Sequence, residues 1–288
     1  MIKFTGKNAL ITGASRGLGA EIANQLWRQG ANLLLAARDA KALETVVKNL
    51  GHRPEQQAYF VSTDLTHENS TDIIVEAAQS HFEKLDILVN NAAIQGPIGT
   101  AWNNDQVLWE QSIYVNLICP VKLSRSCAKW MISQKQGKII SLSGGGATSS
   151  RPNFTSYAVA KTGLVRFSEI LADELKEYNI QVNCVAPGAM ATSLLNEVVV
   201  AGSTLAGPKE FDIANKVKEG GGTSSERAAQ LVTFLASTLS DGITGKLISA
   251  MWDPWEKFPE HLEDLKNSDI YTLRRIVPKD RGQAWGDL

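Results

Sequence analysis

The sequence predicts an α/β fold built on a parallel sheet of seven strands, and three observations predict it. Short apolar runs recur along the chain with amphipathic stretches between them. Glycine-rich turns follow directly on several of these runs. The 288 residues fall within the size of one α/β domain, with no internal repeat and no low-complexity tract.

The first run, 8–12, passes straight into Gly13-Ala14-Ser15-Arg16-Gly17-Leu18-Gly19. An amphipathic helix carrying Ile22, Ala23, Leu26 and Trp27 follows, then Gly30 and a second strand at 32–36. This is a βαβ unit of mononucleotide-binding length. Its glycines allow a tight turn and a close backbone approach to a pyrophosphate held at the helix N-terminus. Further strands are expected at 57–61, leading to Asp64-Leu65, and at 85–89, ending in Asn90-Asn91-Ala92-Ala93. A helix is expected at 68–82 and a long helical stretch at 105–134. Within the latter, Pro120 has no N–H, so the carbonyl of Asn116 loses its helical partner. Both that carbonyl and the Asn116 amide are then available to hold a water, although a plain proline kink fits the same sequence.

Strand 138–142 runs into Ser143-Gly144-Gly145-Gly146, strand 180–185 closes on Pro187-Gly188-Ala189-Met190-Ala191-Thr192, and 245–249 reads as a seventh strand. Residues 189–222 are read as a lid, mixed helical with glycines at 202, 207 and 220–222; a plain surface excursion fits as well. Ser224 or Ser225 caps the helix that ends near Leu239, with Glu226 near the capping-box position.

The chemistry centres on Tyr157 and Lys161, four residues apart on one helical face. A free phenol has a pKa of about 10, and a nearby ammonium favours its ionised form. Tyr157 so placed can exchange a proton with a carbonyl or alcohol oxygen near neutral pH. At the end of the second strand, an acidic residue would bond a ribose 2′-hydroxyl, but the chain reads Leu35-Ala36-Ala37-Arg38. Arg38, joined by Arg16 of the glycine loop, matches a 2′-phosphate and argues for NADP(H), with NAD(H) still possible. Asp39 offers Arg38 a different partner, and an exposed surface Arg38 is the plainer reading.

Composition narrows the partners. A net charge of −1 disfavours nucleic acid and anionic membranes. Cys119, Cys127 and Cys184 are odd in number without metal-ligand spacing, so no metal is expected and a reducing compartment is. The N-terminal residues show no signal-peptide pattern and no run reaches membrane-spanning length, which together place the protein in the cytoplasm.

Taken in order, Thr12-Gly13-x3-Gly17-x-Gly19, Asp64, Asn90-Asn91-Ala92, Asn116, Tyr157-x3-Lys161 and Pro187-Gly188 resemble the short-chain dehydrogenase/reductase family across roughly residues 4–250. The resemblance implies a Rossmann-like, doubly wound sheet with one nicotinamide dinucleotide at the carboxyl ends of the strands. It implies Tyr157 as general acid/base, Lys161 binding the nicotinamide ribose and lowering the Tyr pKa, and Asn116 holding a proton-relay water. Gly13, Ser15, Arg16, Gly17, Leu18 and Gly19 would hold the diphosphate side. Asp64 and Leu65 would meet adenine, Asn90 and Ala92 the ribose side, and Pro187, Gly188 and Thr192 the carboxamide and diphosphate. Two departures stand out: Ala93 where the family usually has glycine, and Gly144 where it commonly has a substrate-orienting serine. Ser143 is the nearest replacement, with Ser141, Thr148, Ser149 and Ser150 farther off.

The expected organisation is one catalytic domain at 1–250 and an extension at 251–288 that packs on the domain or at a subunit interface. The extension holds Trp252, Trp255 and Trp285 and a basic cluster from Arg274 to Arg281. The expected function is hydride transfer between NADP(H) and a carbonyl or alcohol substrate, in a homodimer or homotetramer. An NAD-dependent alcohol dehydrogenase and a non-catalytic dinucleotide sensor are the alternatives.

Overall fold

A computed structural model describes residues 3–285; positions 1–2 and 286–288, the outer ends of the two expected segments, lie outside the described residues. The strands form where apolar runs can be covered on both faces. They are β1 (Asn8–Thr12), β2 (Asn32–Ala37), β3 (Ala58–Ser62), β4 (Ile87–Asn90), β5 (Gly137–Leu142), β6 (Ile180–Ala186) and β7 (Leu247–Ser249). Every residue of β1, β4 and β5 is buried, whereas β3 has a mixed, partly exposed pattern because it lies at the sheet edge. All pairings are parallel, in the order β3-β2-β1-β4-β5-β6-β7. The order reverses between β1 and β4, which opens a crevice at their carboxyl ends.

The helices are α1 (Gly17–Arg28), α2 (Ala40–Leu50), α3 (Ser70–His81), α4 (Gln106–Ile113), α5 (Cys119–Gln134), α6 (Thr155–Glu174), α7 (Ser193–Ala206), α8 (Pro208–Lys216), α9 (Ser225–Ala236) and α10 (Leu262–Lys266). Side chains alternate across the sheet. Ile11, Leu33 and Leu35 therefore pack with Leu26 of α1, Leu43 of α2 and Phe234 of α9. Leu10, Leu34 and Leu88 face the other way, onto Ile74 of α3, Leu123 of α5 and Leu171 of α6. Covering both faces makes the sheet doubly wound, in one domain.

The long helical stretch expected at 105–134 is present from Gln106 to Gln134 and carries a π bulge in its middle. Asp105 caps α4 by accepting from the Leu108 N–H, and the π turn at Tyr114–Ile118 lies between α4 and α5. Pro120 stands in the first turn of α5, where its missing N–H takes one bond out of the ladder. At α9 the cap is Ser224, whose hydroxyl accepts from the Glu226 N–H, so Glu226 sits one position before the capping-box site. The expected lid resolves into α7, α8 and a π turn at Val217–Gly221, with Gly202 breaking the helical path inside α7.

Residues 251–285 lie along the domain. Trp255, Phe258 and Leu265 join the same core cluster as β1, α1 and α9, and Arg227 lies over the Trp255 ring and pairs with Glu256. The Leu247 N–H of β7 donates to the Tyr271 carbonyl, and Lys246 Nζ donates to the carbonyls of Ser268 and Ile270. No helix among the described residues is long and apolar enough to cross a membrane, and none of their His, Cys, Asp or Glu side chains cluster as a metal site.

Candidate active site

The crevice at the strand ends is a cleft of about 1140 Å³. Gly13, Ser15, Arg16, Gly17, Leu18, Gly19, Arg38, Asp64, Leu65, Ala92, Ser143, Tyr157, Lys161, Pro187, Gly188 and Thr192 all line it. Asn90 and Asn116 do not; both lie behind its wall, 4% and 0% exposed. Asn90 Nδ2 donates to Ser124 Oγ and Ser141 Oγ. Asn91, part of the Asn90-Asn91-Ala92 motif but given no role from sequence, ties the strand ends together. Its side-chain amide donates to the carbonyls of Thr12 and Gly13, at 3.0 and 3.1 Å.

At one end of the cleft, α1 begins without a side-chain cap at Arg16, so the first N–H groups of the helix have no side-chain acceptor there. A Cβ at Gly19 would lie 2.3 Å from the Gly13 carbonyl oxygen, so the turn closes only with glycine. At Gly17 a Cβ would meet nothing within 4 Å, and that open space lies over the helix start. An uncapped N-terminus beneath open space fits a diphosphate. Asp39 does not neutralise Arg38: it caps α2 through the Ala42 N–H, at 3.0 Å. Arg38 instead faces Asp64 at 3.7 Å with 60% of its side chain exposed. Burial would raise the Asp64 carboxyl, but hydrogen bonds from Thr66 and the Arg38 charge hold it below its ordinary value. Burial likewise raises Glu197 of α7, and both Arg16 and Arg38 pull it back, so both guanidiniums act on one region.

At the other end stand Tyr157 and Lys161 on α6, 8% and 2% exposed. The expected coupling between them differs from what the structure shows. Lys161 Nζ donates to the Leu142 carbonyl at 2.7 Å and lies 5.6 Å from the Tyr157 ring centroid. Burial holds the Tyr157 phenol above its ordinary value, and the cation that pulls it down is Arg151 rather than Lys161. Burial also pushes the Lys161 ammonium down to about 8.

Asn116 corrects a second expectation. Its side chain is occupied: Oδ1 accepts from the Ile94 N–H, and Nδ2 donates to the Ile94 carbonyl and to Ser112 Oγ. The amide clamps the loop after β4.

Gly144 is the position that faces Tyr157. A Cβ there would lie 2.4 Å from the phenol oxygen. Ser143 Oγ is buried and has no hydrogen-bond partner, so it makes no bond to Tyr157. Arg151, missed from sequence, stacks 3.9 Å above the Phe154 ring and 5.9 Å from the Tyr157 ring. Its Nε and Nη2 contact Glu210 Oε2 of α8 at 2.9 and 2.8 Å. Nothing in the sequence spacing, 59 residues apart, marks that pair.

Comparison with known proteins agrees with this geometry. Residues 7–201 match the family model described as short chain dehydrogenase. The chain is 32% identical over 248 residues to Nodulation protein G of Rhizobium sp. (strain N33), covering 86% of this chain and 96% of that protein. It is 31% identical over 247 residues to the 3-oxoacyl-[acyl-carrier-protein] reductase FabG of Escherichia coli (strain K12), with the same coverage. A solved short chain dehydrogenase/reductase family protein superposes with a TM-score of 0.71 at 28% identity, covering 86% of this chain and 97% of that one. A doubly wound sheet, a glycine turn beneath an uncapped helix, and a Tyr–Lys pair across the same cleft therefore belong to a member of the short-chain dehydrogenase/reductase family, oxidoreductases that use NAD(P)(H).

Proposed function

We propose that the protein reduces a small carbonyl compound with NADPH, in the manner of a ketoreductase. The observation that carries this reading is the placement of a buried phenol, Tyr157, in the same cleft as an uncapped helix start flanked by Arg16 and Arg38. The glycine loop from Gly13 to Gly19 would hold the diphosphate, Arg16 and Arg38 the 2′-phosphate, and Lys161 the nicotinamide ribose. When bound, the cofactor supplies the hydride. Tyr157 supplies the proton to the substrate oxygen, and its protonated state at neutral pH suits the reductive direction. The Asn116 carbonyl would hold the water that returns a proton to the site.

The absence of an acid at Ala37 and the engagement of Asp39 in capping support NADP(H). Pairing of Arg38 with Asp64 favours the second reading, an NAD-dependent alcohol dehydrogenase of the same family. The reading extends to a cytoplasmic homodimer or homotetramer. Cys119, Cys127 and Cys184 are free and buried, which suits a reducing compartment. Val159 and Ile170, 52% and 51% exposed on one face of α6, give an apolar strip for a second copy.

The test is turnover of NADPH and of NADH on a panel of ketones and oxo acids, for the parent protein and for Tyr157→Phe. The variant should bind cofactor as the parent does and lose turnover by about 10²–10⁴-fold. Equal turnover in the variant would remove Tyr157 from the reaction. A parent that binds cofactor yet turns over none of the panel would favour a dinucleotide sensor.

A further inference from the structure

The substrate end of the cleft is built around a cation that the reduction itself does not require. Arg151 follows the triple-glycine turn after β5, and its side chain lies over Gly145, where an added Cβ would meet its Cδ and Nε at 3.6 Å. Phe154 supports the guanidinium from below at 3.9 Å. A rigid, stacked and largely buried guanidinium is an anion receptor whose fork matches a carboxylate. In this structure a carboxylate does occupy it: Glu210 from α8, with the two side chains 16% and 22% exposed.

Two further groups point the same way. Gln95, 3% exposed, lines the cleft with its Nε2 buried and unpartnered. Ser143 Oγ is also buried, unpartnered and part of the cleft lining. A buried donor without an acceptor is unfavourable unless a ligand completes it. Lys209 adds a second cation to the lining. The set is rich in donors and positive charge, and its own acid, Glu210, sits on the segment that covers the site.

We propose that the substrate is a short oxo acid whose carboxylate takes the place of Glu210 on Arg151, with its carbonyl oxygen at the Tyr157 hydroxyl. This rests on the reductase reading and names its substrate class. The oxo acid leaves as a hydroxy acid, with hydride from the reduced nicotinamide dinucleotide on carbon and the Tyr157 proton on oxygen. Glu210 holds the guanidinium in place between turnovers, and the incoming carboxylate must displace it.

The test compares 2-oxobutanoate and 3-oxobutanoate with their methyl esters, which keep the carbonyl and lose the charge. Turnover is measured with saturating cofactor, and binding of each compound to the cofactor-loaded protein is measured by calorimetry. The parent should favour an acid over its ester by at least about tenfold in kcat/KM. Arg151→Met should collapse that ratio towards one, and Arg151→Lys should restore part of it. Glu210→Gln should lower the KM for the acid several-fold, because the competing carboxylate is gone. An ester preferred by the parent, or a ratio unchanged in Arg151→Met, overturns the proposal and leaves the reductase reading intact. So does a Glu210→Gln protein that loses thermal stability with no change in the ratio, which would make the pair a latch alone. Tight binding of the acid that depends on Arg151 but gives no turnover supports the carboxylate site and overturns the reductase reading. Binding of neither acid overturns the proposal.

Discussion

Tyr157 is held between two opposing influences. Removal from water favours the neutral phenol, and the Arg151 charge favours the ionised one. A chain of letters shows the Tyr157–Lys161 spacing but not which cation the folded loop brings to the ring. The same limit applies to Gly144, visible as a departure from a family pattern but not as the position facing the phenol. Gly144→Ala should push the Tyr157 hydroxyl off its place, because the added methyl would lie 2.4 Å from it. The expected result is a loss of kcat on the order of a hundredfold with cofactor affinity retained, checked by steady-state kinetics beside a cofactor titration. Lys161 yields a pH prediction. Its folded value of about 8 lies below the ordinary lysine value of 10.5, so the unfolded chain takes the proton first as pH falls. Burying this amine therefore costs stability below about pH 8, and the cost fades as pH rises to 10.5. Lys161→Met should be more stable than the parent by about 2 kcal/mol at pH 7, after the lost bond to Leu142 is allowed for. The difference should shrink as pH rises and reverse by pH 10.5, where the lost bond to Leu142 outweighs the remaining burial cost, and urea melts at the two pH values would show it.

Among the elements, the strands were the most legible, because each is an apolar run bounded by turn residues. Their ends shifted by one or two residues, as in β4, which starts at Ile87 and ends at Asn90. The helical stretch at 105–134 was legible as one apolar pattern, and the structure keeps it helical from Gln106 to Gln134; what the letters did not show is the π bulge at Tyr114–Ile118 just before Pro120. The tail was legible only as unusual composition. Its tryptophans could have served a subunit interface, a pocket wall or the core, and pattern does not choose among these. The structure distributes them: Trp252 is 84% exposed beside the cleft, while Trp255 is 6% exposed against Phe234. Trp255→Ala should cost about 3–5 kcal/mol, read from chemical denaturation, whereas Trp252→Ala should cost less than about 0.5 kcal/mol.

At the scale of the whole molecule, the fold was the most secure reading, since alternation of strand and helix dictates a parallel sheet with both faces covered. The glycine turn after β1 was also readable, because a tight strand-to-helix turn is announced by its glycines. The end of the cleft around Tyr157 was not. It is assembled from the β5–α6 loop, the loop after β4 and α7–α8, segments distant in sequence whose contacts exist only once the sheet brings them together. In the proposed reductase, Arg38 reads the 2′-phosphate of NADPH bound in the cleft. The most direct test of that reading is a fluorescence titration of the protein and of Arg38→Asp with NADPH and with NADH. The parent should bind NADPH more tightly by about tenfold or more, with the preference lost or reversed in the variant. Equal binding of the two cofactors, or a preference for NADH that Arg38→Asp leaves unchanged, would contradict the reading.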